Sequence, residues 1–148
     1  MAELVNTALR LRRRVFLLGF ELWFPLDMPA PDDEAVEAFL KTLDGKLGPE
    51  GLALDPRFVW RRLREEGKSP SCRCALVVNG DRLGSVYGVR VIVQEAWNMA
   101  LGLPREPNYG LVGHARFGDE GCVMLWRDDM RLDAKLQNCV AWMSRRHI

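Results

Sequence analysis

The sequence predicts an α+β fold in which one antiparallel sheet carries helices packed mainly on one face. The order of the expected elements is β-α-β-β-α-β, followed by an extra strand and a C-terminal helix, which is the split βαβ or ferredoxin-like pattern. A chain of 148 residues is the usual size of one domain. Its 48% hydrophobic and 28% charged residues are typical of a globular protein. We therefore expect residues 1–148 to form a single domain with a sheet of about five strands.

Apolar spacing defines the elements of the first half of the chain. Residues 3–13 have apolar side chains at helical spacing, whereas residues 15–24 are rich in β-branched and aromatic side chains, as in a buried strand. Pro31 and the three acidic residues after it are typical of a helix start. Proline suits the first turn, and carboxylates interact favourably with the positive N-terminal end of the helix dipole. The apolar stripe of this helix ends at Gly48-Pro49.

The second half of the chain alternates strands and helices in the same way. Two strands are expected at 57–63 and 72–78, a turn at 79–81, a helix at 85–101 and strands at 109–117 and 122–126. The start of the helix, 86–89, fits a strand equally well. A last helix begins near Asp133, and its expected buried stripe consists of Leu136, Cys139, Val140 and Met143.

The four cysteines lack the spacing of a zinc site. A Cys-x-Cys pair at 72 and 74 is followed by single cysteines at 122 and 139, whereas structural zinc usually takes two closely spaced pairs. Alternate residues of a strand share a face, so Cys72 and Cys74 are expected to face the helices, with Ser71 and Arg73 facing away. We expect free, buried thiols, no metal and no cofactor.

Charge is balanced overall but unevenly distributed. Twenty-one basic residues oppose twenty acidic ones, so the net charge of +1 does not by itself indicate a nucleic-acid-binding protein. Residues 57–73 contain six basic and two acidic residues, whereas residues 31–51 contain two basic and six acidic ones. The basic stripe could contact phosphates or an acidic protein surface, or it could be a solvated edge strand and loop. Its arginines are Arg57, Arg61, Arg62, Arg64 and Arg73.

The N-terminal segment resembles an export signal only in part. Arg13-Arg14 precedes a short apolar run, as in a twin-arginine signal, but Glu21 interrupts the run and no Ala-x-Ala cleavage site follows. The run is also shorter than the ~20 apolar residues that a membrane-spanning helix needs. We therefore expect a cytoplasmic protein that does not bind a membrane.

Two segments of the chain, 60–81 and 94–112, contain short sequence motifs that are interpreted together. In the first, Trp60 is followed about ten residues later by Pro70, and Ala75-Leu76, Asn79 and Asp81 complete the pattern. In the second segment, residues 94–103 read Gln-Glu-Ala-Trp-Asn-Met-Ala-Leu-Gly-Leu, and Gly110-Leu111-Val112 comes after them. These motifs resemble the replication-protein-like family of filamentous phages (inoviruses), which also occurs in bacterial prophages. The resemblance extends from about residue 15 to the end of the chain.

This resemblance implies a Rep-type domain related to the HUH (His-hydrophobe-His) rolling-circle endonucleases. Such an enzyme holds a divalent metal with two histidines and an acidic or polar residue, and a tyrosine attacks the scissile phosphate. The corresponding positions here are Ser71 and Arg73 for the histidines, Leu63 for the acidic residue and Trp142 for the tyrosine. The resemblance therefore implies a degenerate site with no catalytic residue, in a protein of a phage or mobile element.

Three functions remain open at this point. The first is nucleic-acid binding without catalysis, in which arginines replace the metal and Trp142 offers a stacking surface. The second is an anti-defence inhibitor, such as an anti-CRISPR protein, that binds a host nucleoprotein or defence complex. The third is an active nuclease with a divergent site; a Cys122–His114 nucleophile pair is a further enzymatic alternative. The expected binding residues are Arg57, Arg61, Arg62, Arg64, Arg73, Trp142 and Arg145.

Overall fold

A computed structural model describes residues 1–25, 33–63 and 70–144. No helix in these ranges is long and apolar enough to cross a membrane. The expected helix start at Pro31 lies outside them. The elements are α1 (Ala2–Leu11), β1 (Arg14–Trp23), α2 (Asp33–Leu47), β2 (Arg57–Leu63), β3 (Ser71–Asn79), α3 (Val86–Ala100), β4 (Val112–His114), β5 (Cys122–Trp126) and α4 (Leu132–Ser144).

The five strands form one antiparallel sheet, which confirms the predicted fold class. The strand order is β2-β3-β1-β4, and β5 also pairs with β1. This order is the ferredoxin-like arrangement, with β3 and β1 in the centre. β3 pairs with β1 along its whole length and with β2 over Ser71–Val77, and all nine of its residues are buried.

Two short strands form the edge beside β1, as expected, but the first, Val112–His114, is much shorter than the strand expected at 109–117. β4 pairs with Phe20–Leu22 of β1 and β5 pairs with Arg14–Leu18. Between them the chain turns outward at residues 115–121, where Gly118 and Gly121 have positive φ angles of 57° and 83°. Gly19 of β1 lies opposite this turn. A Cβ atom there would lie 2.6 Å from the ring of Phe117, so only glycine leaves room for the phenyl group.

Helices cover both faces of the sheet. Even-numbered side chains of β1 and β3, including Cys72 and Cys74, pack with α2 and α3 in one core. Odd-numbered side chains such as Leu17 and Val77 pack with α1 and α4 in a second core. The expected orientation of the two cysteines is confirmed, because both face α2 and α3. The expectation of helices mainly on one face is wrong, because α1 and α4 cover the opposite face, toward which Ser71 and Arg73 point.

The ambiguous segment 86–89 is helical. The hydroxyl of Ser85 accepts a hydrogen bond of 3.0 Å from the backbone N–H of Gly88, which is the usual N-terminal cap of a helix. The cap decides the conformation of a segment whose residue types alone fit either a strand or a helix.

Candidate nucleic-acid interface

The positions that the resemblance assigns to a catalytic site do lie together. Leu63 of β2 pairs with Ser71 of β3, and both side chains are buried. Two residues further along β3, the guanidinium of Arg73 lies 5.0 Å from the ring centroid of Trp142 on α4. All four side chains belong to the face that α4 covers.

Arg73 is buried, so the expectation that it offers a surface cation is wrong. Its side chain is 5% exposed and its Nε donates a hydrogen bond of 3.0 Å to the carboxylate of Glu21 on β1. Its Nη1 donates to the backbone carbonyl of Trp142. A buried charge needs such partners because it has left water. Arg73 therefore connects the sheet to α4.

Trp142 is also buried, contrary to the expectation that it is free for contact. It packs edge-on against Phe117, with ring centroids 5.6 Å apart. The observed buried residues of α4 are Leu136, Cys139, Trp142 and Met143, whereas Val140 is exposed. Positions i+3 and i+4 from Cys139 both fall on the buried face of a helix, and this face is wide enough for both. The expected stripe was therefore wrong in including Val140 and in leaving out Trp142.

Arg61 contributes to the same structural contact. Its Nη1 donates hydrogen bonds of 3.1 Å and 2.8 Å to the carbonyls of Met143 and Ser144. Together with Arg73, it satisfies carbonyl groups of the last turn of α4, where the helix dipole is negative. Two of the arginines expected to bind a partner thus act within the fold.

The remaining predicted arginines do not share one face. Arg62 lies on the opposite side of β2 from Arg61, and its Nη2 is 2.6 Å from the carboxylate of Asp33 at the start of α2. Arg57 lies at the start of β2, 3.5 Å from Asp55. Arg64 and Arg145 lie outside the described residues.

The structure assembles a different group of cations, which we call the arginine end of the sheet. At this end α1 finishes, β1 and β2 begin, and β3 and β5 finish. Arg127, which follows β5, donates to the carbonyls of Leu9, Arg10 and Arg12 at the end of α1. The arginine end consists of Arg10, Arg12, Arg13, Arg14, Arg57, Arg82 and Arg127.

An exposed aromatic ring borders this cluster. Trp126 is 41% exposed, and the guanidinium of Arg14 lies 5.1 Å from its ring centroid. Asp81 holds Arg14 in place through a contact of 2.9 Å between the carboxylate and Nε. Arginine beside an exposed indole is a combination that nucleic-acid-binding surfaces use. The run of arginines at 10–14 was visible in the sequence, but the approach of Arg57 and Arg127 to it was not.

A concave region lies between α3 and the β4–β5 edge. It has a volume of about 880 Å³, and Arg90 is one of the residues that line it. The guanidinium of Arg90 contacts the ring nitrogens of His114 and donates to the carbonyl of Glu120 and to Sγ of Cys122. Cys122 and His114 therefore both contact the side chain of Arg90, and both line this groove.

The thiols have the properties of core groups. Burial raises the pKa of Cys122 even though the nearby Arg90 opposes the shift. Burial likewise raises the pKa of Cys72 and Cys74, and it raises that of Cys139 to about 12. All four cysteines are free and three are buried, which agrees with the expected free thiols. No group of three or more His, Cys, Asp or Glu side chains in the described ranges could hold a metal ion.

No protein-family model matches this sequence, and no curated protein is detectably similar to it.

Proposed function

We propose that this protein binds nucleic acid without cleaving it, as a catalytically inactive relative of Rep-type endonucleases from a phage or mobile element. The observation that carries the proposal is the arginine end, because the fold places seven arginine positions from four separate parts of the chain at one end of the sheet. Asp55 and Asp81 neutralise part of this charge through ion pairs. The remaining positive charge favours a polyanion, because each phosphate contact releases counterions from the nucleic acid.

The width of the surface fits the same ligand. Strands β2, β3, β1 and β5 lie side by side at this end, so the arginines extend over roughly 15 Å at the usual strand spacing of about 4.8 Å. Arg10 and Arg13 are exposed. Arg14 and Trp126 add a flat surface on which a base can stack.

Reversing exposed charges tests this proposal. The double variant Arg10→Glu/Arg13→Glu is expected to weaken binding of a labelled 20-nucleotide DNA by at least about tenfold at low salt, and to make the slope of log K against log [salt] shallower by about one to two. Fluorescence anisotropy measures both quantities. Arg105→Glu is the matched control, because Arg105 is equally exposed but lies after α3. Absence of binding by the wild-type chain at low salt would reject the proposal and favour a protein partner.

Loss of catalysis is a separate part of the proposal. Its support is that Leu63, Ser71, Arg73 and Trp142 are buried where the resemblance places metal ligands and nucleophile. With Mg²⁺ or Mn²⁺ and single-stranded DNA, we expect no nicks and no covalent protein–DNA adduct. Nicking that a chelator abolishes would instead establish an active nuclease with a divergent site.

A further inference from the structure

Two arginines of the arginine end converge on a single carboxylate. Arg12 follows α1 and Arg57 opens β2, and the Nη2 atoms of both approach Oδ2 of Asp55. The three side chains are all partly exposed, at 41%, 26% and 39% for Arg12, Arg57 and Asp55. One carboxylate thus faces two permanent cations, which leaves a local charge of +1.

Asp55 satisfies neither arginine well. Its oxygen is 3.9 Å from Arg12 and 3.5 Å from Arg57, whereas a charge-assisted hydrogen bond is about 2.7–2.9 Å long. The Nε atoms of both arginines are buried and have no hydrogen-bond acceptor within the described ranges. At the same end of the sheet, Arg14 and Asp81 make an ordinary contact of 2.9 Å. At this end of the sheet, Asp55 is therefore paired more loosely than Asp81.

The backbone holds Asp55 in an unusual conformation. Its φ angle is +49°, and that of Ala53 is +54°, both in the left-handed region that side chains other than glycine rarely adopt. Such conformations occur at sites where a side chain is held in place for binding. Here the turn presents one carboxylate between two guanidinium groups.

The gap between the arginines suits a phosphate group. Because both Nη2 atoms approach the same oxygen, at 3.9 Å and 3.5 Å, they are no more than 7.4 Å apart. A tetrahedral oxyanion that accepts hydrogen bonds of about 2.8 Å can bridge two donors that are no farther apart than this limit. Guanidinium groups are also the side chains best suited to pair with phosphate oxygens.

We propose that Arg12 and Arg57 form an oxyanion clamp that holds a phosphate group, with Asp55 as an internal competitor for the same donors. The clamp rests on the proposed function in one respect: the phosphate is taken to be part of a nucleic-acid backbone. A phosphate that enters the clamp displaces the Asp55 carboxylate and accepts hydrogen bonds from both arginines.

The direction in which one substitution changes the affinity for DNA distinguishes the clamp from a structural ion pair. Asp55→Asn removes the competing carboxylate. It is expected to tighten binding of the 20-nucleotide DNA by about two- to fivefold more than Asp81→Asn does, which is the size of effect expected from one exposed ion pair. Asp81→Asn is the matched control, since it removes one negative charge from the same end of the sheet. Arg57→Gln is expected to weaken binding. Circular dichroism of each variant verifies that it is folded.

A second measurement separates the clamp from the proposed function. Inorganic phosphate is titrated against the melting temperature of the wild-type chain and of the double variant Arg12→Gln/Arg57→Gln. If DNA binds but Asp55→Asn and Asp81→Asn have equal effects, the clamp is rejected and nucleic-acid binding stands. If DNA does not bind but phosphate stabilises only the wild-type chain, the clamp holds a free phosphate and the proposed function is rejected. If neither ligand has an effect, both proposals are rejected.

Discussion

At the scale of single residues, the molecule depends on arginines that act inside the fold. Arg73 is paired with Glu21 across the two central strands and reaches a backbone carbonyl of α4. Arg127 also binds a helix end, because it donates hydrogen bonds to backbone carbonyls at the end of α1. A guanidinium can make such contacts because its planar group offers several N–H donors in a fixed geometry.

Removing Arg73 is expected to be costly. The variant Arg73→Met leaves the carboxylate of Glu21 buried without its charge partner, so we expect a loss of about 3–5 kcal/mol in the free energy of unfolding. Urea denaturation measures this loss. Arg105→Met, at an exposed position, is the control and should change stability by less than about 0.5 kcal/mol.

The companion variant Glu21→Gln/Arg73→Met should recover part of that stability, because it also removes the buried carboxylate charge that Arg73 pairs with in the wild-type chain. If Arg73→Met were as stable as the wild-type chain, Arg73 would not be a structural ion. Its place in a binding surface would then need to be considered again.

At the scale of elements, α4 is held at both ends by polar contacts. Arg61 and Arg73 bind the carbonyls of its last turn. Before its first turn, Asp129 accepts a hydrogen bond of 2.8 Å from the backbone N–H of Arg131 and another from the side chain of Lys135. These contacts matter because α4 covers the face that holds Arg73 and Trp142.

Stability should depend on pH through Asp129. The hydrogen bond from Lys135, together with that from the backbone of Arg131, lowers the pKa of this carboxyl below its usual 3.8. A lowered pKa means that the native state favours the charged form, so the stabilisation is present above pH 3.8 and is lost as pH falls through the lowered value. We expect Asp129→Asn to melt at a lower temperature than the wild-type chain at pH 6.

The difference between Asp129→Asn and the wild-type chain should shrink as the pH is lowered toward 2.5, and thermal denaturation over this range measures it. Asp128→Asn, next in the chain and exposed, is the control for the loss of one negative charge. An equal difference at every pH would show that Asp129 stabilises α4 in some way other than through its charge.

At the scale of the whole molecule, two cores share one sheet. Cys72 and Cys74 belong to the core under α2 and α3, and Cys139 belongs to the core under α4. Cys122 is only half-buried, at the edge groove beside Arg90. Because β1 and β3 contribute side chains to both cores, neither core can open without disturbing the strands of the other.

Thiol labelling tests this description. At pH 8 a disulfide reagent should modify Cys122 first, and the other three thiols should react only at the rate of global unfolding, since burial protects them and raises their pKa. Cys122→Ser should abolish the fast phase. Two or more thiols in the fast phase would mean that one core opens independently.

Much of the fold was accessible from the sequence because its signals are local. The strands expected at 57–63 and 122–126 have the bounds that the structure gives to β2 and β5. The stripe of α2 and the Ser85 cap likewise depend on residues within a few positions of one another. Element order then limits the topology, so the ferredoxin-like arrangement could be inferred before any contact was known.

The roles of the arginines could not be predicted in this way, because most of them depend on partners far along the chain. Arg73 became structural only when folding brought Glu21 and Trp142 to it from 52 and 69 residues away. Arg57 joined the arginine end through Asp55 and Arg12, and Arg127 reached α1 across more than 110 residues. A cation in a sequence has no fixed role: whether it binds a carbonyl, a carboxylate or a ligand depends on which acceptors the folded chain places within hydrogen-bond distance.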